Sequence, residues 1–378
     1  MSADIDRLRL ARTEGVGPIT YRRLLRRFES AAAALDALPG LARAGGRATA
    51  PAIPGRDDAE REFEHAGRAR AALLFVDRPG YPKLLALLED APSVLSVQGR
   101  PEVLDARAVA MVGSRNASAN GQRLAEAMAE DLAAAGLVVV SGLARGIDAA
   151  AHEGALRAGL TVACVAGGID VPYPPEHADL QARIARGGAV VAEAPPGTAP
   201  QARHFPRRNR IIAGLSLGVV VVEAALRSGS LITARQAQEA GREVYAVPGS
   251  PLDPRCRGAN DLIRQGARLA ETAADVLEDL PEHPGAGIGR GPQFHRRRGL
   301  LENPAPPPAS PADPTDTGRM RDRVIALLGP SATAVDELIR RSHLTPGDLM
   351  AVLLMLEVAG RVEMQPGNMV ALLADPGH

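Results

Sequence analysis

Between about Ala72 and Leu280 the chain alternates short, β-rich apolar runs with helical segments, and this alternation constrains its fold more than any other feature. The runs are Ala108–Val112, Leu137–Ser141, Leu160–Ala166, Ala189–Ala192, Leu217–Glu223 and Glu243–Val247. Strands separated by helices predict parallel pairing through right-handed crossovers, which gives a mainly parallel, doubly wound α/β sheet. Val219, Val220, Val221 and Val222 are apolar in succession. Such a strand must be covered on both faces, as a central parallel strand is.

The flanks carry different patterns. From Ile5 to about Leu38 the periodicity is helical, broken by a turn at Gly15-Val16-Gly17-Pro18, and Leu24, Leu25 and Phe28 share one face of the helix that follows. This predicts a small helix-hairpin-helix or SAM-like module over residues 1–70. A stretch rich in Gly, Ala and Pro runs from Pro39 to Gly55. The α/β domain is expected over 71–280. Residues 281–318 hold Pro304-Ala305-Pro306-Pro307-Pro308 and a basic run from His295 to Arg298, a composition expected to form a tether rather than a core. Residues 319–378 predict three helices (Arg321–Leu328, Val335–Arg341, Pro346–Gly360) and a hairpin of Val362–Met364 with Met369–Ala371, the pattern of a winged helix. Its third helix is apolar at Leu349, Val352, Leu353 and Leu356, which favours a protein-contact or regulatory role over reading a DNA groove.

Charge and cysteine content exclude several classes. The 44 basic and 44 acidic residues cancel, so a polyanion-binding surface must come from local clustering. Lys83 is the only lysine, so the candidate phosphate contacts are guanidinium groups able to bond in a bidentate manner. Cys164 and Cys256 cannot build a disulfide framework and lack metal-ligand spacing. Cys164 reads as core. No run approaches the ~18 apolar residues of a membrane span, and the N-terminus has no signal-peptide character, which points to the cytoplasm.

Open α/β sheets bind ligands at the carboxyl ends of their strands, and four loops there stand out. Gly113-Ser114-Arg115-Asn116 follows the first run as a permissive turn leading into a helix, offering backbone N–H groups and a charged fork to an anion. Ser141-Gly142-Leu143-Ala144-Arg145-Gly146 repeats the device. His152 beyond it reads as a helix histidine satisfied by its surroundings rather than an acid–base group. Phe205-Pro206-Arg207-Arg208-Asn209-Arg210, with Arg203, sets four arginines in eight residues beside a ring that could stack a base. Ser228-Gly229-Ser230, after Glu223, heads another helix as a further anion cradle. No G-x-G-x-x-G fingerprint, metal-ligand cluster or nucleophile–base pair accompanies them. No cofactor, metal or catalytic residue is expected.

The run Val112–Asn116, the string SGLARGIDAAAH from Ser141, GGIDVPYPPEH from Gly167, FPRRNRIIAGLS from Phe205, VVEAALRSGSLITA from Val221 and VPGSPLDPRCRGANDLIRQGA from Val247 closely resemble the DNA-processing protein A family, also called Smf. The resemblance covers almost the whole chain. It implies an extended Rossmann domain that binds single-stranded DNA and protects incoming strands during natural transformation. It further implies loading of the RecA recombinase past single-strand-binding protein, and action as a homodimer. Carried to this sequence, the binding set is Gly113, Ser114, Arg115, Ser141, Gly142, Arg145, Phe205, Arg207, Arg208, Asn209, Arg210, Ser228, Gly229 and Ser230. The phosphate pocket would include Arg115, Arg208 and Arg210. His177 and Cys256 stand where the family pattern leads one to expect Asn and Ser. Two other readings use the same residues. A nucleotide-cleaving phosphoribohydrolase would need a Pro-Gly-Gly-x-Gly-Thr-x-x-Glu motif, which the Ser228–Thr233 region lacks. A winged-helix regulator with a ligand-sensing domain predicts sequence-specific duplex binding.

Overall fold

The computed structural model describes residues 2–282, 314–329 and 331–373, without the side chains of 314–316. The basic run His295–Arg298 and most of the expected tether fall outside these residues. The N-terminal helices are α1 (Ser2–Arg12), α2 (Pro18–Phe28), α3 (Ala31–Ala44) and α4 (Arg56–Arg68). Pro18 opens α2 at the position where its missing N–H costs nothing, and Ser30 caps α3 by accepting from the Ala33 N–H at 3.2 Å. The helix continues through Pro39 and Gly40 to Ala44, further than the composition of that stretch predicts, because Leu38, Leu41 and Ala42 are buried. The sequence pattern leaves α4 unassigned.

The α/β unit follows: β1 (Ala71–Phe75), α5 (Lys83–Ala86), β2 (Val94–Gly99), β3 (Ala108–Gly113), α6 (Ala119–Ala134), β4 (Val138–Ser141), α7 (Ile147–Ala158), β5 (Thr161–Val165), α8 (Ala178–Gly187), β6 (Ala189–Ala192), α9 (His204–Leu215), β7 (Gly218–Val222), α10 (Ser230–Glu239), β8 (Glu243–Ala246), α11 (Arg257–Arg264), β9 (Arg268–Leu269) and α12 (Ala273–Asp279). Nine strands form one sheet in the order β1-β2-β6-β5-β4-β3-β7-β8-β9. The strands from β6 to β9 run parallel, and β2 joins β6 antiparallel, with β1 antiparallel to β2 at that edge. The six strands read from the sequence lie together in the parallel region. Val219–Val222 is wholly buried, with Val219 and Val221 in the core on one face of the sheet and Val220 and Val222 in the core on the other. The chain winds from β3 outward to β6, then crosses back to place β7 on the other side of β3. That reversal puts the topological switch point between β3 and β7.

The C-terminal elements are α13 (Pro314–Leu327), β10 (Thr333–Ala334), α14 (Val335–Ser342), α15 (Pro346–Val358), β11 (Val362–Gln365) and β12 (Met369–Leu372). The three short strands pair in the order β10-β12-β11, completing a winged helix. Thr345 caps α15 through the Asp348 N–H, with Pro346 next to it. The chain divides into two compact units. Among the described residues, 2–61 with 314–329 and 331–373 form one, and 62–282 the other. In the first, the apolar α15 serves two neighbours at once. Leu349, Val352, Leu353 and Leu356 fill the winged-helix core, against which Ile19 of α2 also packs. Its Met355 carbonyl and Ala359 methyl lie against Gly45 at the end of α3. Glu357 is buried here, 3.8 Å from Arg23 of α2, and burial raises its carboxyl above the usual value. Among the described residues no helix is long and apolar enough to cross a membrane.

Candidate functional site

The loops that leave β3 and β7 start side by side at the switch point, since Gly113 pairs with Val222 in the sheet. Gly113 is required there: a Cβ would sit 1.9 Å from the Val222 carbonyl oxygen and 2.6 Å from Ile147. The loop then turns outward, the Ser114 hydroxyl accepting from the Asn116 N–H, and leaves Arg115 exposed. Among the described residues no carboxylate forms an ion pair with Arg115, Arg203 or Arg227, whereas Arg145 pairs with Glu176, Arg210 with Glu193, and Arg207 stands 3.8 Å from Glu193.

Of the four loops expected at the rim, two that would cradle an anion are filled by the chain itself. Glu223, held at a positive φ of 49° just beyond β7, accepts from the Ser118 N–H at 2.8 Å and from the Ser118 hydroxyl. Ser118 in turn caps α6 by accepting from the Gly121 N–H at 2.9 Å. The positive end of α6 therefore already faces a carboxylate. In the second loop the buried Asp148 carboxylate accepts from the N–H groups of Gly142 and Ala144, at 3.2 and 3.3 Å. Ser141 does not face a ligand, because its hydroxyl is buried and donates to the Met111 carbonyl at 2.6 Å. Arg145 is exposed and paired with Glu176. The fourth cradle remains without a carboxylate among the described residues. Ser228 and Ser230 share a hydroxyl hydrogen bond of 2.7 Å, and Gly229 opens α10 with no side-chain cap.

The arginine-rich run is split by the helix it forms. Arg203 and Arg207 lie on the outside of the first turn of α9. They add positive charge to a helix end that is already positive, and together with burial they hold His204 below the usual histidine value. Arg208 and Arg210 point inward, at 6% and 7% exposure. Arg208 donates to the Cys164 carbonyl at 2.8 Å and lies with Asp148 beneath Gly142, where a Cβ would come within 1.8 Å of Nη1 and 2.6 Å of the carboxylate. Burial raises the Asp148 carboxyl, a shift that Arg208 opposes. Arg210 donates to Glu193 at 2.6 Å and stands 3.5 Å from Asp90. Asn209 ties α9 to the Ser228–Ser230 turn, its amide donating to the Gly229 carbonyl at 3.3 Å. Each inward arginine still presents one buried N–H group with no partner, Nε of Arg208 and Nη1 of Arg210.

Phe205 lies where these parts meet. The Arg115 guanidinium rests 4.8 Å from its ring centre, and Tyr173 meets it edge-on at 5.7 Å and an interplanar angle of 61°. Tyr173 stood unremarked within the GGIDVPYPPEH string. Its chain neighbours are Pro172 and Pro174, and only the fold brings it to Phe205. His152 is fully buried and its Nδ1 lies 2.7 Å from the Thr161 hydroxyl, while burial pushes its pKa down to about 3. It is thus a neutral core histidine whose Nε2 has no partner, so it is satisfied at one nitrogen only. Cys164 is core, as its run predicts. No group of three or more His, Cys, Asp or Glu able to hold a metal occurs among the described residues.

Comparison with known proteins agrees with this architecture part by part. Residues 72–281 match the family DNA recombination-mediator protein A, residues 2–73 the DprA-like N-terminal HHH domain, and residues 304–368 the DprA winged helix domain. Protein Smf of Escherichia coli is 40% identical over 304 residues, covering 79% of this chain and 77% of its own. Protein Smf of Synechocystis is 33% identical over 380 residues, covering 94% and 96%. The X-ray structure of DNA processing protein A from Streptococcus pneumoniae superposes with a TM-score of 0.62 at 36% identity, over 75% of this chain and 99% of the other. DNA processing protein A from Helicobacter pylori, a protein with a single-stranded DNA binding mode of its own, superposes with a TM-score of 0.51 at 29% identity, over 56% and 99%. The family matched over residues 72–281 is, by its description, one of recombination mediators. This chain belongs to the DNA-processing protein A (DprA/Smf) family.

Proposed function

We propose that this chain binds unpaired DNA along the carboxyl rim of its sheet. Arg115, Arg203 and Arg207 meet phosphates there, and the Ser228-Gly229-Ser230 turn supplies hydroxyl and backbone donors. Gly113, Ser114, Ser141 and Gly142 shape the floor, Arg208, Asn209 and Arg210 brace it from inside, and Arg145 borders it through Glu176. The observation that carries this reading is the unpaired Arg115 guanidinium laid on Phe205 at the switch point. A cation and an aromatic surface on one rim form the pairing that a single strand's phosphates and exposed bases need. The single-strand binding of the Helicobacter pylori relative supports the same reading.

In this reading the chain acts in the cytoplasm as a homodimer. It shelters strands taken up in natural transformation and loads RecA recombinase onto them past single-strand-binding protein. Its membership of a recombination-mediator family supports that role. The primary test is a gel-shift titration of the full chain with a short single strand and its duplex across a salt series. Preference for the single strand is expected, with log affinity falling linearly in log salt by about 0.7 per phosphate neutralised. Preference for the duplex, or no shift at low ionic strength, would overturn the reading.

A further inference from the structure

The rim carries two aromatic side chains, and they differ in availability. Phe205 is partly buried, with the Arg115 guanidinium over its ring and the edge-on contact of Tyr173 beside it. Tyr173 is 46% exposed, so its ring is open to a ligand. Its loop, between β5 and α8, is not slack. Ile169 is buried and its carbonyl accepts from the Gln181 amide at 2.9 Å. Asp170 accepts from the Gly197 N–H at 2.7 Å, and His177 contacts the Leu143 carbonyl at 2.9 Å. Glu176 pairs with Arg145. A ring held outward on a braced loop, in contact with the phosphate-binding cluster, has already lost much of the conformational freedom that binding would otherwise remove.

We propose that Tyr173 is the ring on which a nucleobase of the bound strand stacks, and that Phe205 is a positioning residue. Phe205 orients Tyr173 by edge-to-face contact and carries Arg115 on its ring, so that cation and stacking surface are offered together. The inference rests on the single-strand reading above and adds the base-contacting residue to it. Stacking reads no hydrogen-bond pattern, so the contact tolerates any sequence.

The chain supplies its own reporter. It has no Trp and four Tyr, of which Tyr21, Tyr81 and Tyr245 are buried. The full chain is titrated with a dye-labelled oligothymidine, anisotropy giving binding, and with unlabelled oligothymidine while tyrosine emission is followed. Stacking predicts that emission is quenched along the same binding curve. Tyr173→Ala should weaken binding by about tenfold, within the range for loss of one stacked base, with the salt slope unchanged. Tyr173→Phe should restore most of that affinity while abolishing the quench. Full affinity in Tyr173→Ala, or a quench that persists in Tyr173→Phe, would overturn the assignment while leaving single-strand binding intact. An anisotropy that never rises would remove the functional reading and this inference with it.

Discussion

Arg210 and Glu193 meet across 2.6 Å with Asp90 3.5 Å away, so a guanidinium that reads in the sequence as a phosphate contact is neutralised inside the protein. Removing it takes the arginine from Asp90 and leaves Glu193 with only the more distant Arg207, 3.8 Å away, and breaking a buried pair costs about 3–5 kcal/mol. Glu193 and Asp90 keep some solvent contact, so a loss of about 2 kcal/mol is expected for Arg210→Ala by urea denaturation. The salt slope of strand binding should stay as in the wild type.

Arg115→Ala should do the reverse. The side chain is exposed and pairs with no carboxylate, so stability should change by no more than about 0.5 kcal/mol. Strand affinity should fall for every sequence alike, and the slope of log affinity against log salt should flatten by about 0.7. If the two variants lose affinity with the same change of slope, the division of these arginines into outer and inner sets is wrong.

That division shows where sequence reading ends. The parallel strands were legible because burial on both faces leaves continuous apolar runs such as Val219–Val222, and the winged helix because its helices carry Leu and Val at helical spacing. Arg207 and Arg208 are neighbours of one residue type, yet one is exposed and the other buried, and helix rotation against Cys164, Asp148 and Gly142 decides which. The glycine-containing loops were located correctly, but Glu223 and Asp148, the carboxylates that fill two of them, are joined to those loops only by the fold. Tyr173 reaches Phe205 for the same reason.

Glu223→Ala empties the α6 cradle. Two hydrogen bonds to Ser118 and the favourable charge at the helix end disappear together, at a cost of about 1–2 kcal/mol. The vacated site then resembles an anion site, so sulfate should raise the melting temperature of the variant more than that of the wild type. Equal sulfate responses would show that Glu223 is not standing in for an anion.

His152 makes the α/β unit sensitive to acid. The Thr161 hydroxyl donates to the Val139 carbonyl at 2.7 Å, so it can only accept from His152, which fixes the proton on Nδ1 and leaves Nε2 bare and buried. The folded pKa of about 3 lies below the ordinary 6.5, so the stabilisation is complete above pH 6.5 and is lost as pH falls toward 3. The loss should approach about 1.4 kcal/mol per pH unit. His152→Asn retains a donor near the Nδ1 position but does not titrate. Urea denaturation from neutral pH to about pH 5 should therefore show a shallower decline for the variant than for the wild type. Parallel declines would place the acid-sensitive group elsewhere.

Gly40 and Gly45 test how α15 is held, because the same substitution at two places near one helix should have opposite signs. Gly40 lies within α3, and a Cβ there would meet nothing within 4 Å. Gly40→Ala should stabilise by up to about 1 kcal/mol through the unfolded chain's lost freedom and better helix propensity. Gly45 ends α3 with an ordinary φ of −73°, so alanine meets no backbone strain. Its Cβ would nevertheless fall 2.1 Å from the Met355 carbonyl oxygen and 2.7 Å from the Ala359 methyl. Backbone cannot yield as a flexible side-chain end can, so Gly45→Ala must push α15 away from α3, at about 1–3 kcal/mol. Limited proteolysis should cut the winged helix of Gly45→Ala sooner than that of the wild type, while Gly40→Ala resists at least as long. Equal cleavage of the two variants would mean that α15 does not depend on the N-terminal helices for its seat.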